Sequence, residues 1–166
     1  TREKLSVLKK HGVSRLSVNP QTMNDATLEL IGRSHKSADI IAAFNMARDM
    51  GFDNINMDVI AGLPGEHAAD MEHTLDEIIK LSPENLTVHT LALKRSSRLV
   101  TEGEKYPMPE AEEVEHMVHM GSEAAARLGM RPYYMYRQKY MSGNLENVGY
   151  AKPGTECVYN IDMMED

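Results

Sequence analysis

Three times along this chain a helical stretch ends at a glycine, an apolar residue follows, and a strand-like run begins. Gly12-Val13-Ser14 leads into Arg15-Leu16-Ser17-Val18, Gly51-Phe52-Asp53 leads into 54–60, and Gly129-Met130 leads into 131–136. The glycines lie 39 and 78 residues apart, one and two periods of a single length. Glycine just past a helix accepts the left-handed conformation that closes the last turn, and the apolar residue after it folds back onto the helix. A further junction, Leu81-Ser82-Pro83-Glu84-Asn85, uses proline as its break before 86–91.

Between these junctions the apolar spacing is helical. Ile40, Ile41, Phe44 and Ala47 share one face; Met71, Leu75, Ile78 and Ile79 share another; Val114, Met117, Val118, Gly121, Ala125 and Leu128 form a third stripe. Pro109 followed by Glu110, Glu112 and Glu113 starts a helix, with carboxylates at the positive end of its dipole. Thr22-Met23-Asn24-Asp25 reads as a capping box before Leu28, Leu30 and Ile31. Strand and helix alternating at this spacing imply an α/β chain with a parallel sheet and right-handed crossovers. Four strands are expected, at about 15–20, 54–61, 86–92 and 132–138. A period near 39 suits the units of a (β/α) barrel, here incomplete, with about four βα units. A doubly wound sheet is the alternative, without a glycine-rich dinucleotide loop to support it. The region after about 140, with Gly143, Gly149, Pro153 and Gly154, reads as loop. The expected division is thus 1–140 as barrel and 141–166 as the start of a C-terminal loop or helical extension.

Charge and composition narrow the function. A net charge of −7 with no basic stripe argues against nucleic acid or an anionic membrane surface as partner. Apolar runs such as 40–44 are too short to span a bilayer, and the first ten residues have no signal-peptide pattern. The single cysteine, Cys157, allows no internal disulfide and fits a reducing cytoplasm. It has no local His or Cys partner for nucleophilic or metal chemistry. The 13 methionines are read as a Met-biased core. The first residue is not Met, and an upstream segment is expected.

In barrels, chemistry gathers at the C-terminal ends of the strands. There this sequence places Gln21 after strand one, Asp58 and Gly62-Leu63-Pro64-Gly65-Glu66 on and after strand two, 92–95 after strand three, and Tyr134, Tyr136, Arg137, Gln138 and Lys139 on strand four. Asp58 interrupts an apolar run, where a carboxylate costs several kcal/mol unless paired or hydrogen-bonded. It is either a ligand partner or one half of a structural pair. Gln21 alone reads as a loop amide. Arg33, after Ile31-Gly32, suits the negative end of a helix or reaches a carboxylate. The 62–66 run either presents amides to a ligand or turns into the next helix. His116 and His119 share a helix face but lack a third metal ligand, so a surface role is expected. His89 reads as a packed or hydrogen-bonded strand residue, and the tyrosines at 133, 134 and 136 as including a core residue or two.

The runs GVSRLSVNPQ (12–21), LELIGRSH (28–35) and GFDNINMDVIAGLPGE (51–66) resemble, in order and interval, the oxygen-independent coproporphyrinogen III oxidase family of radical S-adenosylmethionine (SAM) enzymes. RPYYMYRQK (131–139) and NLENVGYAKPG (144–154) look like its Firmicutes-type branch, the coproporphyrinogen dehydrogenases. The resemblance implies a radical SAM partial TIM barrel, and that Gln21, Arg33 and Asp58 correspond to SAM-contacting side chains and Ala92 to a backbone contact. It also implies a [4Fe–4S] cluster held by three cysteines on the loop after the first barrel strand. This chain has one cysteine, elsewhere, so the ligands are expected upstream and the fragment alone is expected to be inactive. The family's chemistry is oxidative decarboxylation of the porphyrinogen propionates through a 5′-deoxyadenosyl radical, in haem biosynthesis. The implied partners are a small-molecule porphyrinogen and an unidentified electron donor. Haem chaperones of the same family, and radical SAM enzymes of other substrates, are the competing readings.

Overall fold

A computed structural model describes residues 1–91, 107–137 and 145–165. The elements run α1 (Arg2–Lys10), β1 (Arg15–Ser17), α2 (Asp25–Leu30), α3 (Ser37–Asp49), β2 (Asn54–Ala61), α4 (Ala68–Leu81), β3 (Asn85–Thr90), α5 (Ala111–Arg127), β4 (Arg131–Tyr136), β5 (Asn147–Ala151) and α6 (Val158–Glu165). The sheet order is β1-β2-β3-β5-β4. β1, β2 and β3 are parallel neighbours, whereas β5 runs antiparallel to both β3 and β4.

The glycine junctions form as the sequence dictates. At Gly51 (φ +83°) the Phe52 amide reaches back to the Ala47 carbonyl at 3.1 Å, the six-residue closure of a Schellman motif. The same bond forms from Val13 to Leu8 and from Met130 to Ala125. At the proline junction Ser82 takes the left-handed conformation (φ +55°), and the buried Pro83 follows it. Just beyond, Arg48 makes a two-pronged bond to Glu84 at 2.6 and 2.9 Å, tying the end of α3 to the start of β3.

Three expectations are corrected. The fourth strand does not pair with the third, because β5, lying where a loop was expected, inserts between them. Asn147 to Ala151 alternate sides and pair with both neighbours, so a five-residue strand fits among the Gly and Pro of its flanks. β1 stops at Ser17 rather than near 20, since Pro20 has no N–H to offer the ladder; the chain rejoins β2 at Gln21 as an isolated bridge to Val59. The capping box before α2 does not form. Asn24 is the N-cap, but its side-chain amide points instead to Thr22, Glu66 and the Asp70 carbonyl.

The two faces of the sheet differ in chemistry. Ile55, Met57, Val59 and Ala61 of β2 and Leu86 and Val88 of β3 are buried in the main apolar cluster. Phe44 of α3, Met71 and Ile78 of α4, and Met117 of α5 belong to the same cluster, each burial contributing roughly 1.5–3 kcal/mol. Met23, Met57, Met71, Met117 and Met130 lie in the core, whereas Met135, Met163 and Met164 are exposed. The alternate positions, Asn54, Asn56 and Asp58 with Asn85, Thr87 and His89, give the other face a polar layer.

Gly121 sets the distance between α5 and β3. A Cβ there would lie 2.8 Å from Cγ2 of Val88, a β-branched side chain with little freedom to move. Gly121→Ala is therefore expected to lower stability by about 1–3 kcal/mol through overpacking, against about 1 kcal/mol gained in helix propensity. Thermal denaturation checks this: a melting temperature equal to or above the parent's contradicts the close approach.

Candidate adenosyl-ligand cleft

The C-terminal ends of β1, β2, β3 and β4 meet the N-terminal end of β5 at one rim of the sheet. There Gln21, Ile60, His89, Thr90, Leu91, Tyr136 and Asn147 line a cleft of ≈ 290 Å³. Gln21 reaches it by an unusual backbone. Its φ is +68°, rare for a residue with a Cβ, and it is held there by two bonds to β2. Its amide donates to the Asp58 carbonyl at 3.1 Å, and its carbonyl accepts from Ile60 at 2.9 Å.

Asp58 stands on the polar face two residues before Ile60, its side chain 19% exposed. Its Oδ1 accepts from Asn56 Nδ2 at 2.6 Å, and Oδ2 lies 3.6 Å from His89 Nε2. Burial alone would raise this carboxyl's pKa; hydrogen bonds from His89 and Asn56, the charge of His89 and the Thr87 hydroxyl outweigh it and hold the carboxyl below its ordinary value. His89 Nδ1 lies 3.4 Å from the Tyr136 hydroxyl, so His89 stands between Asp58 and Tyr136. His89 thus turns Nε2 to the Asp58 carboxylate and Nδ1 to the Tyr136 hydroxyl.

The residues implied by resemblance are placed unevenly. Gln21 and Asp58 come together through adjacent backbone. Arg33 follows a fourth glycine closure, its amide on the Leu28 carbonyl at 2.9 Å, and is exposed; its side chain has no hydrogen bond or ion pair with a described residue. Ala92, like Gln138 and Lys139, lies outside the described residues. The 62–66 run turns the chain toward α4, and two of its amides are bonded within the protein. Gly65 donates to the Pro107 carbonyl and Glu66 to the Leu63 carbonyl. The Glu66 side chain, 2% exposed, accepts from Thr22 at 2.5 Å and from Asn24 at 3.0 Å, fastening the loop that carries Gln21 to the start of α4.

The sequence reading missed Thr90 and Asn147. Thr90 is 3% and Asn147 1% exposed, and the Thr90 Oγ1 and Asn147 Nδ2 atoms have no partner among the described residues. Asn147 lay in the stretch read as loop, so no periodicity signalled it. His116 and His119 are exposed on α5, as expected, and no metal-binding group of His, Cys, Asp and Glu occurs among the described residues. The tyrosines at 133, 134 and 136 are half-buried and stacked in series rather than in the core. Among the described residues no helix is long and apolar enough to cross a membrane.

Three parallel strands extended by two antiparallel ones, with helices packed on the apolar face and a cleft at the C-terminal rim, define part of an open (β/α) barrel. Residues 1–78 match the family model of the radical SAM superfamily, and the chain carries part of a radical SAM domain. Within that class it is 47% identical, over its whole length, to the oxygen-independent coproporphyrinogen-III oxidase-like protein HemZ of Bacillus subtilis, of which it covers 33%. It is 33% identical over 162 residues to the haem chaperone HemW of the same organism, covering 96% of this chain and 39% of that protein. The fold matches coproporphyrinogen III oxidase (HemN) from Escherichia coli with a TM-score of 0.74 and 23% identity, over 93% of this chain and 33% of that one. The chain thus spans about a third of the length of these relatives.

Radical SAM proteins use S-adenosylmethionine and a [4Fe–4S] cluster. The cleft fits the first, since its lining offers an amide and two buried polar atoms without a partner among the described residues, with the Asp58 carboxylate just behind His89. The residues present do not fit the second, because three thiolates are needed and Cys157 is the one cysteine of this sequence.

Proposed function

We propose that this chain forms the adenosyl-binding rim of a radical SAM enzyme of haem biosynthesis that oxidatively decarboxylates coproporphyrinogen III to protoporphyrinogen IX. The carrying observation is the joint placement of Gln21 and Asp58 beside the rim, the first bonded to the backbone of the second. The Asp58 carboxylate, kept ionised by His89 and Asn56, accepts hydrogen bonds from ribose hydroxyls. Gln21 adds an amide from the neighbouring strand, and Arg33, exposed and without a described partner, supplies a cation for the ligand's carboxylate. The backbone at Ala92 is assigned the remaining contact. Bound SAM supplies, on one-electron reduction, a carbon radical able to take hydrogen from a propionate side chain. This chain's residues hold the ligand and supply none of the redox chemistry, so the chain by itself does not turn over.

The higher identity to the oxidase-like relative, 47% against 33% for the haem chaperone, favours this reading over haem carriage. The partners are then a porphyrinogen and an electron donor in the cytoplasm, and the barrel sheet, expected to end near 140, runs on through β5 before the extension begins. The test uses a protein of the relatives' length that carries this chain, with its cluster reconstituted and a reductant. Protoporphyrinogen formed from coproporphyrinogen III supports the proposal. Tight haem binding with no decarboxylation assigns it to the chaperones instead.

A further inference from the structure

Asn147 and Thr90 meet at the cleft through one hydrogen bond, the Thr90 amide donating to Asn147 Oδ1 at 2.8 Å. That bond fixes which way the Asn147 amide points, and so identifies Nδ2 as the unpaired atom. A buried donor left without a partner costs roughly 1–3 kcal/mol, and so does a hydroxyl in the same position. Both atoms belong to residues lining the cleft, beside the His89 and Tyr136 rings. We propose that Asn147 and Thr90 are ligand-binding residues, Asn147 Nδ2 donating to an acceptor on the adenosyl group and the Thr90 hydroxyl bonding a second heteroatom. This rests on the adenosyl reading and deepens it by adding β5, a strand the implied contacts do not include.

The ligand chemistry follows from the lining. Gln21, Ile60, Thr90, Leu91, Tyr136 and Asn147 are uncharged, and His89 is the one titratable base among them. Such a cleft suits a neutral heterocycle or sugar better than a phosphate or carboxylate, which needs fixed cations. An adenine ring supplies acceptor nitrogens for Asn147 and a flat face for the aromatic wall.

The competing role for Asn147 is purely structural, as the acceptor for the Thr90 amide. Two substitutions separate the roles. Asn147→Asp keeps an oxygen for Thr90 and removes the donor. Thr90→Val keeps the shape and removes a hydroxyl that is unpaired in the free chain, so the free chain melts no lower than the parent. Binding of S-adenosylhomocysteine to the 166-residue chain is measured by isothermal titration, with melting temperatures alongside. The expected result is about a tenfold weaker affinity in each variant, the loss of one hydrogen bond and its geometry. Both variants binding as tightly as the parent overturns the inference while leaving the adenosyl reading standing. A parent chain that binds no S-adenosylhomocysteine overturns that reading, and this inference with it.

Discussion

Asp58→Ala weakens S-adenosylhomocysteine binding by about one to two orders of magnitude, the largest effect expected of any single substitution at this rim. The estimate is the loss of one or two charge-assisted hydrogen bonds at roughly 1.5–3 kcal/mol each, discounted for partial solvent access. Asp58→Asn is milder, because an amide oxygen still accepts from Asn56 and from a hydroxyl. The pH dependence has a definite sign. A carboxyl whose folded pKa is depressed contributes stability that is complete above its ordinary value of 3.8 and is lost as pH falls through the lower folded value. Acid denaturation followed by circular dichroism therefore separates the parent from Asp58→Asn above pH 3.8, and the two curves converge at lower pH. Identical curves across the whole range contradict the hydrogen-bonded, ionised state assigned to Asp58.

Glu66→Ala lowers stability by about 2–4 kcal/mol, whereas Glu66→Gln leaves it near the parent's. The alanine opens a buried space and removes the acceptor shared by Thr22 and Asn24. Glutamine keeps Oε1, the atom that takes both bonds, and removes a charge from a site 2% exposed. Because Thr22 and Met23 also meet the Thr74 hydroxyl, the network anchors the residues directly after Gln21. Glu66→Ala thus weakens ligand binding as well, by loosening the loop that follows Gln21. Chemical denaturation of the two variants checks the contrast, and equal losses in both would rule out the shared-acceptor role.

The readable parts of this chain are those decided within a few residues. Gly12, Gly51 and Gly129 announce helix ends because the left-handed closure is local, and the stripes on α3, α4 and α5 are visible because one turn repeats the next. Asp58 is legible without any structure as the charged member of the polar alternation Asn54, Asn56, Asp58 on β2. The hidden parts depend on distant partners. β5 has five residues between glycines and prolines, and what makes it a strand is the pair of neighbours it bonds, β3 and β4. His89 and Tyr136 are 47 residues apart in sequence, and only the folded sheet sets them beside Asp58. Asn147 belongs to the same class: its Nδ2 meets the cleft only because β5 begins at the rim where β3 ends. Gln21 is intermediate. Its position after Pro20 is legible, but its backbone splice onto β2 is not.

A chemical-shift map of the ¹⁵N-labelled chain titrated with S-adenosylhomocysteine tests the rim as an adenosyl site most directly. The perturbed amides are expected to cluster at Gln21, Asp58 to Ile60, Thr90, Leu91 and Asn147, with the outer faces of α4 and α5 unchanged. Shifts confined to those helices, or saturating binding with the Gln21, Asp58 and Thr90 amides unmoved, would place the ligand elsewhere and contradict the assignment.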